Sequence, residues 1–215
     1  SSDLKDADLI DVISYNEVFQ LADQGAKVIH PKAVEIAMEG NIPLLIKNTM
    51  NDCRGTLINN FGDRKHRRIM SGITSQGDRI QVSINRSDNE GNKKYNDILE
   101  LLAANKISLD LINIFPDKQI FTINKTDKEI VETLLSKDNF KYSIIEECSK
   151  VAVVGSGMKG TPGVMARIIK SLNENNIEVL QTADSHMTIW CLVNSKDAVN
   201  AINILHKAFS VGYTL

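Results

Sequence analysis

A repeat with a 70-residue offset constrains this chain more than any other feature. Setting the chain against itself without gaps puts Ile98 on Ile168, Leu102 on Leu172, Asn105 on Asn175, Ile107 on Ile177, Asp127 on Asp197 and Leu135 on Leu205. Val82 and Ile84 fall on Ala152 and Val154, Leu109 on Val179, and Ile123 on Val193. Few of these matches are identities, but the apolar phase holds throughout. Two copies of one supersecondary unit is the economical reading.

Each copy reads β-α-β-β-α. In the first, Ile80, Val82 and Ile84 alternate with polar residues, the period of a strand with one buried face. Tyr95, Ile98, Leu99 and Leu102 then recur on one helix stripe. The β-rich runs 107–112 and 120–123 flank Phe115-Pro116-Asp117-Lys118, which is turn chemistry, so a hairpin is expected. Asp127 reads as the N-cap of a second helix holding Ile130, Val131, Leu134 and Leu135, and 142–145 supplies a closing strand. The second copy repeats this with strand 151–154, helix 164–172, strands 177–182 and 188–193, and helix 198–209. The expected fold class is α+β, an α/β sandwich built from two tandem ferredoxin-like βαββαβ modules.

The first 60 or so residues differ. Segments 17–24 and 33–39 read as helices, with Pro31 suited to a helix start, and 42–47 as a short strand. Phe61-Gly62-Asp63-Arg64-Lys65-His66-Arg67-Arg68 reads as a solvated connector; a basic functional patch is the alternative. With Lys+Arg 25 against Asp+Glu 27, the charge balance points to no nucleic-acid or membrane partner. No apolar run approaches the roughly 20 residues of a membrane span. The opening Ser-Ser-Asp-Leu-Lys-Asp lacks the pattern of a signal peptide and reads as cut from something longer. Three cysteines without metal or CxxC spacing fit a reducing compartment, so a cytoplasmic location is expected.

Gly155-Ser156-Gly157-Met158-Lys159-Gly160 spells GxGxxG between a strand and a helix. A dinucleotide site would need a helix after the following strand, whereas Asp184-Ser185-His186 turns straight into the next strand. An oxidoreductase reading therefore fails on topology. The glycines instead suit a close backbone approach to a small ligand or a neighbouring subunit, with the helix from Val164 offering free N–H groups to a carboxylate. The four histidines never cluster with other ligand types, so no metal is expected. Trp190 and Cys191 read as core. Asp110, a carboxylate in an apolar run, either faces solvent or receives an ammonium group.

Two segments resemble a known family. Gly25-Ala26-Lys27-Val28-Ile29-His30-Pro31-Lys32-Ala33, with Ile42-Pro43-Leu44, Lys47-Asn48-Thr49 and Gly55-Thr56, is similar to the end of the amino-acid-kinase domain of aspartokinases. Residues 153–167, Val-Val-Gly-Ser-Gly-Met-Lys-Gly-Thr-Pro-Gly-Val-Met-Ala-Arg, resemble the second ACT module of the same enzymes. The resemblance implies three parts: a kinase-domain tail over 1–62 and ACT modules over 63–146 and 147–215. It implies a feedback-regulatory region of an enzyme that phosphorylates aspartate with ATP and magnesium on the way to lysine, threonine and methionine. Lys27 matches a lysine that approaches the nucleotide, but alone cannot build a phosphoryl-transfer site, so the chain by itself is expected to be inactive and to hold no cofactor.

The same resemblance implies an amino-acid effector at ACT interfaces between two chains, hence a homodimer or larger homo-oligomer. Asp110 matches the carboxylate that takes the effector's amino group. Ser108, Asn113 and Phe115 on the same stretch, Asn92 and Lys94 in the loop before the first helix, and Asn175, Asn176 and Ile177 in the second module complete the expected contacts. The loop 86–92 lacks Pro-Gly, and Asn113-Ile114-Phe115-Pro116 stands where Ser-Glu is common. With Leu180–His186, these features are similar to the diaminopimelate-sensitive type of Gram-positive bacteria, against a lysine-sensing one. A ligand-free dimerisation scaffold is the alternative.

Overall fold

In this computed structural model, residue 4 and residues 7–63, 68–85 and 97–210 are described. The chain divides into two compact units: residues 1–76 with 150–215, and residues 77–149. That division differs from boundaries at 62/63 and 146/147, and the reason lies in two long strands. β4 (Gly72–Asn85) and β7 (Lys141–Val154) each belong partly to one unit and partly to the other. The sequence pattern marks only 80–84 within β4, and 142–145 and 151–154 within β7 on either side of Glu147, which takes φ 51.

In the larger unit, β1 (Val12–Ser14), β2 (Leu44–Ile46) and β3 (Thr56–Asn59) form a sheet in the order β1-β3-β2. β1 pairs parallel to β3, and β2 antiparallel. α1 (Tyr15–Asp23) and α2 (Pro31–Glu39) close a core of Ile13, Tyr15, Val18, Val34, Ala37 and Ile58. Only the two helices and β2 were legible in the sequence; β1 and β3 were not. α1 opens with a capping box in which Ser14 and Glu17 exchange bonds, at 3.3 Å from Glu17 N to Ser14 Oγ and 3.2 Å from Ser14 N to Glu17 Oε2. α2 starts at Pro31, behind the ring of His30, whose Nδ1 accepts from Lys32 N at 3.1 Å.

The residues 77–149 build one copy of the repeat. Strands β5 (Asp110–Ile114), β6 (Lys118–Asn124), β4 and β7 are hydrogen-bonded neighbours in that order. With α3 (Ile98–Ala104) and α4 (Lys128–Lys137), they enclose Ile80, Val82, Ile84, Ile98, Leu102, Phe121, Ile123, Val131 and Leu135. The larger unit holds the other copy, in the strand order β4-β7-β9-β8, with β8 (Gln181–Asp184), β9 (Thr188–Asn194), α5 (Val164–Glu174) and α6 (Ala198–Ser210). Its fourth strand comes from upstream: Ser71 N donates to Val154 O at 2.7 Å, where the start of β4 meets the end of β7. The α+β fold is as expected, and residues 77–149 fall in sequence between the two parts of the larger unit.

The repeat persists in individual hydrogen bonds. Ile107 N donates to Leu102 O and Ile177 N to Leu172 O, each at 3.0 Å, behind the left-handed residues Lys106 (φ 59) and Asn176 (φ 58). The hairpin bonds Phe115 N to Lys118 O and Ser185 N to Thr188 O are both 2.8 Å. Asp127 makes no side-chain cap; the expected N-cap role falls to Asn124, whose Oδ1 accepts from Thr126 N at 3.1 Å, as Asn194 does from Lys196 N at 3.2 Å. No helix among the described residues is long and apolar enough to cross a membrane. Ile98 and Ile168 occupy matching, fully buried sites. Ile98→Ala and Ile168→Ala are each expected to cost about 2–5 kcal/mol in urea unfolding, because each leaves a cavity in a separate core.

Candidate functional site

Of the expected effector residues, Asp110 and Asn113 lie on β5 (Asp110–Ile114), with Ser108 before the strand and Phe115 just after it. Asp110 opens β5, which pairs only with β6 among described strands and is the edge of its sheet. The register shifts between Asp110 and Asn113, and Leu111 takes φ 45, so β5 is bulged at the carboxylate. Asp110 Oδ1 accepts from Leu111 N at 2.9 Å, and Thr122 Oγ1 donates to Asp110 O at 3.0 Å, fixing the backbone there. Ser108 is exposed, and Asp110 and Asn113 are half-buried. Beyond the bulge, Ile112 (46% exposed), Ile114 (60%) and Phe115 (43%) present apolar side chains to solvent. Lys118 Nζ lies 5.5 Å from the Phe115 ring centroid. β8, the corresponding edge strand in the other module, is Gln-Thr-Ala-Asp and carries no such apolar row.

Asn92 and Lys94 lie outside the described residues, as does the whole of the loop 86–92. Asn175, Asn176 and Ile177 sit in the larger unit and terminate α5. Asn175 Nδ2 donates to Ser171 O at 2.8 Å, and Ile177 is 2% exposed in the core. Their place in the structure is a helix cap shared with Asn105, Lys106 and Ile107. Lys27 is exposed in the turn after α1. No group of three or more His, Cys, Asp or Glu side chains that could hold a metal occurs among the described residues. Cys191 is buried, and burial pushes its thiol up to about 12, a core residue as expected.

The glycine loop has a different partner from those expected. A Cβ on Gly155 would lie 2.1 Å from Ile69 O, and one on Gly157 would lie 2.5 Å from Arg68 O. The glycines therefore admit the chain's own segment 68–70, not a ligand or a neighbouring subunit. Ser156, between them, reaches the carboxylate of Glu17 on α1. Glu17 is 6% exposed, and its Oε1 accepts from Ser156 Oγ at 3.0 Å, from Ser156 N at 3.4 Å and from Ser71 Oγ. Its Oε2 takes Ser14 N and Oγ. Burial alone would raise this carboxyl, but the hydrogen bonds from Ser14, Ser71 and Ser156 outweigh it and hold Glu17 below its ordinary value of 4.5. Nothing in the composition of 14–20 marks Glu17 as more than a surface helix residue; only the Ser-x-x-Glu spacing hints at its cap.

Because the folded carboxyl titrates lower than the unfolded one, its contribution to stability is complete above pH 4.5 and fades as the pH falls through the folded value. Glu17→Gln is expected to flatten that acid-side decline in denaturation midpoints measured across pH. Gly155→Ala is expected to cost about 1–3 kcal/mol or more by the same assay, since the obstructing atom is backbone.

Residues 143–207 match the ACT-domain profile, and residues 1–48 match that of the amino acid kinase family. Aspartokinase 1 of Bacillus subtilis is 34% identical over 213 residues, covering 97% of this chain and 52% of that protein. Among solved structures, the aspartate kinase of Clostridium acetobutylicum superposes with a TM-score of 0.85 at 24% identity, covering 97% of this chain and 50% of that one. E. coli aspartokinase III, in complex with lysine and aspartate, gives 0.70 at 23%, covering 93% and 46%. The chain spans about half the length of the curated relatives it matches. Kinase-type sequence thus stands at its start, ACT-type sequence at its end, and similarity to aspartokinases runs across nearly all of its residues.

Proposed function

We propose that the chain is the allosteric, feedback-regulatory region of an aspartate kinase. In that reading, it works in the cytoplasm and binds an end-product amino acid where β5 of two copies meet. The bulged, apolar edge of β5 carries the proposal. Exposed apolar edge strands are pairing surfaces that proteins otherwise blunt with charge, and β5 carries no charged side chain beyond Asp110. A two-fold axis beside β5 would bring two bulges together and confront two copies of Asp110. An α-ammonium group between them answers that charge. Lysine in complex with E. coli aspartokinase III supports an amino-acid ligand for this class of fold. The departures at 86–92 and 113–116 favour meso-diaminopimelate over lysine, with threonine as a third candidate.

The whole enzyme would phosphorylate aspartate with ATP and magnesium. The 215-residue chain by itself is expected to form no aspartyl phosphate above background in hydroxamate trapping, because Lys27 alone cannot supply the several convergent charges that phosphoryl transfer needs. A scaffold reading also draws on Ile112, Ile114 and Phe115, which suffice to pair two copies without a ligand.

Calorimetric titration of the chain with lysine, threonine, methionine and meso-diaminopimelate separates the two. Saturable heat from one of them supports effector binding, and heat from none supports the scaffold. Asp110→Ala is expected to remove a charge-assisted hydrogen bond of roughly 1.5–3 kcal/mol, a roughly 10- to 150-fold loss of affinity. Light scattering at micromolar concentration should find a dimer or larger, and Ile114→Lys should shift it towards monomer.

A further inference from the structure

α1 presents three polar side chains at i, i+3 and i+7, and each binds a residue of the second repeat. Glu17 meets Ser156, as above. Gln20 Oε1 accepts from Thr188 Oγ1 at 3.1 Å, and Gln24 Oε1 accepts from the Trp190 indole Nε1 at 2.8 Å. Ile189, Cys191 and Val193 of β9 face the core beneath α5 and α6. Thr188 and Trp190, one residue out of phase, face the other way, and α1 covers them. This is why the expectation of a core Trp190 holds only for half of its surface.

The end of α1 is held from a second side. Gln76 Nε2, from β4, donates to Asp23 O at 3.0 Å. Gly25 takes φ 111, and a Cβ there would stand 2.7 Å from Ser75 O, so the turn lies directly against β4. Gln24 itself is 7% exposed, with its amide Nε2 on Asp23 Oδ2 at 2.7 Å. Two residues past Gly25 stands Lys27, carried by a turn whose amides bond back to α1: Gly25 N to Ala22 O at 3.3 Å, and Ala26 N to Leu21 O at 2.9 Å.

We propose that the Gln24–Trp190 hydrogen bond is a positioning contact through which the second ACT-type module fixes the turn that carries Lys27. Its meaning for nucleotide handling rests on the reading given under the preceding heading; the contact itself does not. Trp190 is the residue that transmits the position of β9, and Gln24 the residue that receives it. Removing one partner strands a buried donor or acceptor, whereas removing both leaves nothing unsatisfied. A contact that fixes the turn therefore has a signature in paired substitutions that simple loss of packing does not share.

Hydrogen exchange of the full 215-residue chain tests this. Trp190 is the one tryptophan, so a single indole N–H resonance reports the contact. In the unaltered chain, that indole proton and the amides of Gly25 and Ala26 should exchange with protection factors within about threefold, because one opening exposes all three. Indole exchange more than tenfold faster than the turn amides overturns the proposal without any variant. Gln24→Met should speed the turn amides by roughly tenfold or more. Combining it with Trp190→Phe should recover most of that loss, while peptides from 98–137 stay unchanged. Unaltered turn exchange in Gln24→Met, or no recovery in the double variant, overturns the proposal. Calorimetry that finds no amino-acid ligand defeats the regulatory reading and leaves this result standing; unaltered turn exchange defeats the contact whatever calorimetry finds.

Discussion

The ionised carboxylate of Glu17 is the point on which the larger unit converges. It receives donors from residue 14 in the same helix turn, residue 71 at the entry to β4, and residue 156 in the glycine loop. A charge buried to this degree is tolerable only when hydrogen bonds replace the lost water. Five donors from three stretches of chain do so, and the depressed titration of Glu17 shows that they more than offset its burial. The capping box of α1 thus has two tasks: it starts a helix, and it aims an acceptor at a loop 139 residues away. The close approach of Gly155 and Gly157 to 68–70 follows from the same convergence, since side chains there would hold Ser156 off.

The two modules share a plan but not an exterior. Their helix ends, hairpins and asparagine caps repeat with near-identical distances, because those bonds are demanded by local geometry wherever a helix must turn into a strand. Their outer strands diverge: β5 is bulged and apolar, whereas β8 is short and polar.

Much of this was legible in the sequence. Period-2 runs at 80–84 and helix stripes around Ile98 and Ile168 located the elements, and the repeat gave the plan of both modules. The interruption of one module by the other was not legible, because residues 72–76 are Gly-Ile-Thr-Ser-Gln and carry no strand alternation. Their pairing is fixed by β7, far along the chain. The neighbour of Gly155 and Gly157, segment 68–70, could not be found by pattern, since packing of backbone on backbone leaves no compositional trace beyond glycine itself. The candidate effector residues were read through resemblance and not from pattern; of those in the second module, Asn176 takes the left-handed conformation and Asn175 bonds back to Ser171 at the end of α5.

The split strands carry an implication for how such a chain came to be assembled. At the point where residues 77–149 leave and rejoin the rest, a Cβ on Gly77 would stand 3.8 Å from Ser149 Oγ. To the larger unit, the whole interrupting module is therefore equivalent to the loop of a hairpin between β4 and β7. The entropic charge for closing a loop grows only with the logarithm of its length and nearly vanishes when the ends are already held together by a folded insert. A module could enter at that hairpin tip with little disturbance to the host, and once there its strands would simply lengthen the host's own. Copying, insertion and later divergence of edges would yield the present order of strands without any intermediate having to fold anew.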